Sequence, residues 1–354
     1  MTTHSPTVCA ANPATSPSPS AGSGPAGLSA TRDVLARVAQ SARTVLEKGL
    51  HKLQFRAMST HCQVNFHGVS ATVARDFQHD VLDWVAWFEA TYSRFIPESL
   101  VGRINAAAGE QWVETDPETD RLLSLCHELF FFTRGSFDPT ALPLIKLWNW
   151  KQSPPVLPDD PAIQAALKLV GWGKVQRRKG AIRLPERGMG LDFGGIGKEY
   201  AVDCVINMAL QRGITNVLVD FGQDVRVHGH SLDKPFWRIG LDDATNPGKC
   251  WTGIHLTDHA ATTSGDYLRH FEIGGRRYGH ILDPRTGYPA LNDCRAVSVI
   301  APSCTIAGLL STSVCILGAR DGMELIELHP GAAGAITTNV TRIYSRKFRD
   351  FLPA

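Results

Sequence analysis

The stretch that most restricts this chain is "GLDFGGIGKEYAVD", residues 190–203, where four glycines, two aspartates and one lysine separate an apolar lead-in from a helix-like run. Glycines let backbone N–H groups approach a ligand closely, and the N-terminus of a following helix favours anions. The ATP-type loop is excluded, because Asp192 stands where that loop needs a glycine and Glu199 where it needs a hydroxyl residue. The dinucleotide pattern G-x-G-x-x-G is absent here too. Two interpretations remain: an anion-binding turn, or a strand-to-helix turn whose glycines only permit tight packing.

The composition is that of an ordinary globular protein. The chain has 354 residues, of which 43% are hydrophobic and 20% charged. A formal net charge of +2 with scattered Lys and Arg argues against a nucleic-acid-binding protein. The eight cysteines include no C-x-x-C pair and no zinc-like spacing, which indicates reduced, buried thiols in a cytosolic protein. No apolar run approaches the roughly 18 residues of a membrane span.

The N-terminal part predicts a tail and an attached helix. Residues 1–30 are rich in Ala, Ser, Pro and Gly and lack an apolar stretch of signal-peptide length, so we expect a disordered tail and a cytoplasmic location. Residues 31–50 are predicted as a helical extension, since Val34, Val38 and Leu46 recur at helical intervals. Residues 51–354 are predicted as the main domain.

The main domain mixes helix and strand patterns. Long amphipathic helices are predicted at 72–95, 119–135, 199–213 and 306–317. Short strand-like segments between them read as antiparallel pairs. This order favours a layered α+β fold over a purely doubly wound sheet.

Four segments place polar residues and glycines beside apolar strands, which is typical of loops around a cleft. They are "SFDPT" (136–140), "LDFGGIGKEY" (191–200), "TTSGDY" (262–267) and "YGHILDPRTGYP" (278–289). Taken singly, each has a structural explanation. Asp138 and Asp283, both followed by proline, would form side-chain-capped turns, and His280 would be a half-buried imidazole with its hydrogen bonds satisfied. Together the four segments predict one site.

The order and wording of these segments resemble the FAD:protein FMN transferase family, also called ApbE. The resemblance runs from about Met58 to Leu317, and its motifs are "AMST", "SRFIPESLVGRIN", "GSFDPTALPLIKLW", "LDFGGIGKEYAVD", "VLVDFGQDVRVHG", "TTSGDY", "YGHILDPRTGYP" and "GLLSTSVCILG". It implies an ApbE-like, T-fold-related layered architecture over residues 51–354 with FAD bound in a cleft. It also implies transfer of the FMN half of FAD to a threonine or serine of a partner flavoprotein, with release of AMP and use of magnesium.

The resemblance assigns roles residue by residue. His280 matches the general base, and an imidazole that titrates near neutral pH suits removal of a hydroxyl proton. The carbonyl of Gly195 and the hydroxyl of Thr312 match magnesium ligands. The positions that match FAD-contacting residues are Met58, Phe95, Ser136, Phe137, Asp138, Asp192, Lys198, Ser264, Gly265, Asp266, His280 and Asp283.

One position departs from the family. The family's metal motif A-D-x-L-x-T is "AGLLST" here, so Thr312 is kept and Gly308 stands in place of the aspartate. Magnesium is held through one or two carboxylates plus phosphates, so this loss predicts weaker metal binding and a gain from Gly308→Asp. Two alternatives stay open: an FAD-binding protein without transfer activity, and an enzyme that hydrolyses FAD to FMN and AMP.

Overall fold

The computed structural model describes residues 25–246, 248–266 and 269–353, with side chains from residue 29 onward. Of the tail predicted for residues 1–30, residues 1–24 lie outside the described residues. The described helices are α1 (Pro25–Ser41), α2 (Ala71–Tyr92), α3 (Leu100–Ala106), α4 (Pro117–Phe132), α5 (Leu142–Trp148), α6 (Asp160–Leu167), α7 (Gly197–Gln211), α8 (Cys304–Leu317) and α9 (Ala319–Leu328), with 3-10 turns at Trp172–Lys174 and Phe348–Phe351.

The described strands are β1 (Arg43–Glu47), β2 (Leu50–Ala57), β3 (Thr60–His67), β4 (Val113–Glu114), β5 (Gln176–Arg178), β6 (Ala181–Arg183), β7 (Asn216–Phe221), β8 (Val225–His228), β9 (Trp237–Asp242), β10 (Cys250–Leu256), β11 (Ala260–Gly265), β12 (His270–Ile273), β13 (Arg276–Gly279), β14 (Cys294–Ala301), β15 (Ala333–Thr338) and β16 (Arg342–Tyr344).

A nine-stranded sheet organises the molecule. Its strand order is β1-β2-β3-β7-β8-β11-β14-β15-β16, and every neighbouring pair is antiparallel. Smaller sheets are the pairs β9–β10 and β12–β13 and the three strands β4-β6-β5. The predicted α+β class is therefore confirmed.

Both faces of the large sheet are covered, because successive strand residues point to opposite sides. On β14, Val297 and Val299 pack into the core formed with the helices, whereas Ile300 packs into a second, smaller core. That second core includes Trp237 of β9 and Phe348 of the C-terminal 3-10 turn. The result is a layered molecule with α2, α7 and α8 on one side of the sheet and the β9–β10 hairpin on the other.

The predicted N-terminal extension is corrected in two places. Helix α1 begins at Pro25, within the segment predicted as tail, and residues 43–47 form β1 rather than the end of a helix. Strand β1 is exposed along its length, so a helix there would bury nothing, whereas pairing with β2 satisfies its backbone. Val34 and Val38 are buried in the main core, so α1 is part of the packed structure.

Candidate functional site

The glycine turn, residues 192–197, lies just before α7 and is held by the aspartate that opens it. The N–H of Asp192 donates to the Pro139 carbonyl at 2.8 Å. Its carboxylate accepts from the Gly194 N–H at 2.6 Å and pairs with the Arg94 guanidinium at 2.6 Å. Gly194 and Gly195 are exposed, and no hydrogen bond to the Gly195 carbonyl occurs in the part of the chain that the structure describes. That carbonyl is thus available to a ligand.

Lys198 supplies a fixed positive charge at the start of α7. Its Nζ forms an ion pair with the buried carboxylate of Asp224, and its side chain remains 31% exposed. Burial alone would lower the pKa of Lys198, but the carboxylates of Glu199 and Asp224 outweigh burial and raise it. The ammonium therefore stays charged across the physiological range, as binding of a phosphate requires.

Glu199 is buried beside Lys198 and faces α8. Its Oε2 has no hydrogen-bond partner among the described residues. A Cβ atom placed on Gly308 in ideal geometry would lie 2.6 Å from Cγ and 3.0 Å from Oε1 of Glu199. Burial, and secondarily the nearby Asp224 carboxylate, raise the pKa of Glu199 to about 7. The space beside Gly308 is therefore filled by a carboxyl group from the neighbouring helix.

A cluster of hydroxyls joins β11 to α8. The Ser264 hydroxyl lies 3.0 Å from that of Thr312 and 2.7 Å from that of Ser311. Ser311 in turn donates to the Gly308 carbonyl at 3.0 Å. Two predicted residues from separate segments, Ser264 and Thr312, are thus direct neighbours, one helical turn from Gly308.

Asp203 fixes the position of α8 relative to α7. Its two carboxylate oxygens accept the N–H groups of Cys304 and Thr305, both at 2.9 Å, at the N-terminus of α8. It also pairs with Arg226 at 2.8 Å. A carboxylate at a helix N-terminus satisfies otherwise free N–H groups and interacts favourably with the helix dipole.

Aromatic side chains border the glycine turn. Phe95 is 68% exposed, and the Arg94 guanidinium lies 4.3 Å from its ring centroid. An ideal Cβ on Gly195 would be 3.8 Å from the Phe137 ring, so that ring lies against the turn. Met58 occupies the tight turn between β2 and β3 at a φ of 49°, and its N–H donates to Glu89 at 2.8 Å. An exposed aromatic ring beside a cation suits stacking with a flat heterocycle.

The Asp138 turn, residues 138–140, has its carboxylate fully engaged by the protein. Oδ1 accepts from the Thr140 N–H at 2.8 Å and from the Thr140 hydroxyl at 2.6 Å, and Oδ2 accepts from the Trp172 N–H at 3.0 Å. Burial raises the pKa of Asp138. The preceding Ser136 is buried, and its hydroxyl donates to the Thr133 carbonyl at 3.0 Å.

The Asp283 turn, residues 283–287, is closed in the same way. The Asp283 carboxylate accepts from the Arg285 N–H at 2.9 Å and from its guanidinium at two points, both at 2.8 Å. As contacts to FAD, Asp138 and Asp283 stay predictions. In the described contacts both carboxylates hold backbone N–H groups: Asp283 within its own loop, and Asp138 within its own turn and at Trp172.

His280 lies at the end of the β12–β13 hairpin. Its Nδ1 is 3.3 Å from the Arg269 carbonyl oxygen, which can only accept, so Nδ1 carries the proton and Nε2 has the free lone pair. Burial, and secondarily the Arg269 charge, lower the pKa of His280. Asp266, on the same hairpin entry, pairs with Arg277 at 3.1 Å and with Arg295 at 3.2 Å. The hairpin therefore presents an imidazole that is neutral at physiological pH.

Several predicted segments are brought together. The loop after α4 contacts the glycine turn through Phe137, and it approaches the Asp283 turn, where an ideal Cβ on Gly135 would lie 3.8 Å from the Arg285 side chain. Trp148 of α5 donates to the Gly287 carbonyl at 2.8 Å. Among the described contacts, none joins His280 directly to the glycine turn.

Sequence reasoning missed four side chains of this site. Three of them form ion pairs with predicted site residues: Arg94 with Asp192, Asp224 with Lys198, and Arg285 with Asp283. The fourth is Glu199, whose Oε2 has no hydrogen-bond partner among the described residues. Their only sequence signal was a charged residue beside a predicted site residue, which is too common to be specific.

A separate cavity of about 360 Å³ lies between the β9–β10 hairpin and the large sheet. It is lined by Asn65, Asp220, Arg238 and Thr263, among others, and contains none of the predicted site residues. The predicted site residues thus lie outside this cavity.

The residues present fit the groups that the resemblance implies. A cation beside exposed glycines suits a pyrophosphate, and an unpartnered buried carboxyl oxygen that faces the helix carrying Thr312 suits a hard cation. Within the described ranges no cluster of three His, Cys, Asp or Glu side chains is placed to hold a metal, so any magnesium ion here needs hydroxyl, carbonyl and phosphate oxygens as well. In the same part of the chain, no helix combines the length and apolarity of a membrane span.

Several known sequences and solved structures are similar to this chain in sequence and in fold. Residues 58–336 match the sequence profile of the ApbE family. The FAD:protein FMN transferase of Treponema pallidum is 31% identical over 252 residues, covering 66% of this chain and 69% of the relative; that of Vibrio cholerae is 29% identical, covering 66% and 71%. The ApbE crystal structure from Thermotoga maritima superposes with a TM-score of 0.78 at 30% identity, covering 86% of this chain and all of that one. The apo flavinyl transferase ApbE of Pseudomonas stutzeri gives 0.77 at 25% identity, covering 88% and 98%.

Fold and matches together define a flavin transferase. The chain belongs to the ApbE family. The resemblance drawn from its motifs, and the FAD:protein FMN transferase function that the resemblance implied, are confirmed.

Proposed function

We propose that this chain binds FAD across the glycine turn and transfers its FMN moiety to a threonine or serine hydroxyl of a partner flavoprotein. The observation that supports this most is the glycine turn itself, where exposed backbone is followed directly by the charged Lys198. The exposed ring of Phe95 lies under the Arg94 guanidinium, which pairs with Asp192 of the same turn. This combination offers a pyrophosphate its charge partner and a flat ring system its stacking surface.

His280 is proposed as the general base. A new P–O bond forms between the acceptor oxygen and the FMN phosphorus, and the P–O bond to AMP breaks. The proton of the acceptor hydroxyl moves to Nε2 of His280, because Nδ1 is already protonated and faces the Arg269 carbonyl. The lowered pKa of His280 keeps that lone pair free at neutral pH.

The residues around the glycine turn and α8 are proposed to bind the phosphates of FAD. Lys198 interacts with the pyrophosphate, and the free carbonyl of Gly195 and the hydroxyl of Thr312 are proposed to hold magnesium. Magnesium, when bound, withdraws charge from the phosphoryl oxygens and stabilises the leaving AMP. Ser264 orients Thr312 through its hydroxyl, and Ser311 in turn holds the Ser264 hydroxyl.

The test is an assay with and without an acceptor. Purified protein is incubated with FAD, MgCl₂ and a threonine-bearing acceptor protein, and a flavin-fluorescent acceptor band is sought after denaturation. AMP must appear in equal amount. FMN and AMP formed without acceptor would identify hydrolysis, and bound but unchanged FAD would identify a binding protein; either outcome overturns the transferase proposal.

We also propose a cytoplasmic location. All seven described cysteines are free thiols, and six of them are buried. Persistent free thiols are typical of a reducing compartment. Fractionation of cells that express the full chain would test this, and recovery in the periplasm would contradict it.

A further inference from the structure

The starting point is the glycine on α8. Gly308 is buried and lies one helical turn before Thr312, so a side chain at 308 would point toward the same region as the Thr312 hydroxyl. The family pattern has a carboxylate there, and this chain has none.

The volume of that missing side chain is occupied. The ideal Cβ position of residue 308 lies 2.6 Å from Cγ, 3.1 Å from Cδ and 3.0 Å from Oε1 of Glu199. Atoms at such separations cannot coexist, so the Glu199 side chain passes through the place that a residue-308 side chain would fill. Its carboxyl group therefore reaches the α8 surface from the opposite helix.

One oxygen of the Glu199 carboxyl lacks the hydrogen bond that a structural buried acid has. Its Oε2 is buried with no hydrogen-bond partner in the described residues. The nearest ammonium, on Lys198, forms its ion pair with Asp224 instead. Glu118, another buried glutamate of this chain, is in contrast bonded to Arg121 and Tyr200. A buried carboxylate without a partner is costly unless a proton or a cation neutralises it.

Two further oxygen donors stand on the segments that meet at this carboxyl, one on α8 and one just before α7. Thr312 contributes a hydroxyl one turn along α8, and the Gly195 carbonyl, four residues before Glu199, has no hydrogen bond. Because Asp203 fixes the N-terminus of α8 against α7, these groups are held in place relative to one another. Hard oxygen donors with one carboxylate, completed by phosphate and water, are what magnesium takes in proteins.

We propose that Glu199 supplies the magnesium-binding carboxylate of this chain, from α7, in place of the one absent at Gly308 on α8. This inference rests on the proposed function for the nearby pyrophosphate, but the metal site is tested independently of transfer. On this proposal the metal site is relocated between two helices rather than lost.

The experiment measures metal binding on the full chain without an acceptor. Melting temperature is followed against MgCl₂, with and without FAD, and bound MnCl₂ is counted by electron paramagnetic resonance. We expect magnesium to raise the melting temperature of the wild type, and Glu199→Gln to abolish that rise and weaken Mn²⁺ binding by at least about tenfold. Glu118→Gln is the matched control, since it removes a buried carboxylate elsewhere and should keep the magnesium response.

A second variant moves the carboxylate back. Gly308→Asp alone should be destabilised in EDTA, because its Cβ collides with Glu199. The double variant Glu199→Ala/Gly308→Asp should fold and regain the magnesium response. An unchanged response in Glu199→Gln, or no magnesium effect on the wild type with or without FAD, would overturn the inference. Loss of transfer with an intact Glu199-dependent metal response would instead count against the proposed function alone.

Discussion

The Asp138 and Asp283 turns and the α7–α8 corner both bury acidic side chains, but they treat them in opposite ways. Both carboxylates have protein partners at both oxygens: Asp283 from its own loop, and Asp138 from its own turn and from the Trp172 N–H. Glu199, in the corner, has a buried oxygen with no partner in the described structure. Carboxylates with hydrogen-bond partners fix backbone geometry. A buried oxygen without a partner destabilises the fold, and a ligand that binds it removes that cost. The same residue class is thus scaffold in one region and a binding group in the other.

The largest expected effect concerns His280, which the hairpin beside the Asp283 turn positions. We expect His280→Ala to lower the FMN transfer rate by about 10² to 10⁴, the usual range for a general base, while FAD stays bound. Rate and FAD affinity are measured separately, with His79→Ala on the exposed face of α2 as the control. Parallel losses of rate and affinity would make His280 a binding residue.

The scaffold role of the Asp138 turn predicts a loss of stability. Asp138→Ala removes the acceptor of the buried Thr140 and Trp172 N–H groups, so the free energy of unfolding should fall by about 2 to 4 kcal/mol. Denaturant titration measures it, and Asp138→Asn should lose less because its amide oxygen can still accept. If Asp138→Ala keeps full stability and loses only FAD binding, its carboxylate is a ligand contact and the contrast between the two regions fails.

In the α7–α8 corner the cation should matter for ligand binding. We expect Lys198→Met to weaken FAD binding by about 1 to 3 kcal/mol, the range for a lost charge-assisted hydrogen bond. A fluorescence titration of FAD measures this. The double variant Lys198→Met/Asp224→Asn serves as control, since it removes the Asp224 charge that the single variant leaves buried and unpaired. Wild-type affinity in both variants would remove Lys198 from the site.

The smallest expected effect is a shift of the pH dependence of kcat/KM toward lower pH. Because burial and the Arg269 charge lower the pKa of His280 and Asp266 only partly opposes them, the acid limb of kcat/KM should lie below the ordinary histidine value of 6.5. The sign for stability follows: the unfolded chain binds this proton more readily, so His280 contributes a loss of stability as the pH falls below 6.5. A limb at or above pH 6.5 would contradict the neutral, buried imidazole.

Local patterns were enough to predict much of the fold. The long helices and most sheet strands follow hydrophobic periodicity, and the resemblance placed Ser264 and Thr312 in one site, where they are in contact. Arg43–Glu47 was predicted wrongly as helix, because Leu46 fits the helical spacing by chance and is exposed, whereas the strand form depends on pairing with β2. Secondary structure that is set by a partner strand is not encoded in its own segment.

The role of Glu199 could not be predicted from its neighbours in sequence. Gly308 alone reads as the loss of a carboxylate, and Glu199 alone reads as one more acidic residue in the first turn of a helix. Only the packing of α7 against α8 shows that the Glu199 side chain fills the space beside Gly308. Sequence gives the identity of side chains, whereas compensation between them is a property of the assembled core.

The 2.6 Å separation between a residue-308 Cβ and Glu199 also restricts the ancestry of this chain. If a carboxylate moved from α8 to α7 by single substitutions in the lineage of this chain, this crowding favours a route that emptied position 308 before it filled position 199. An intermediate on that route has neither carboxylate and must hold the metal through the remaining oxygen ligands. Residues 199 and 308 are therefore expected to change together across descendants of that lineage, as a linked pair rather than as two independent sites.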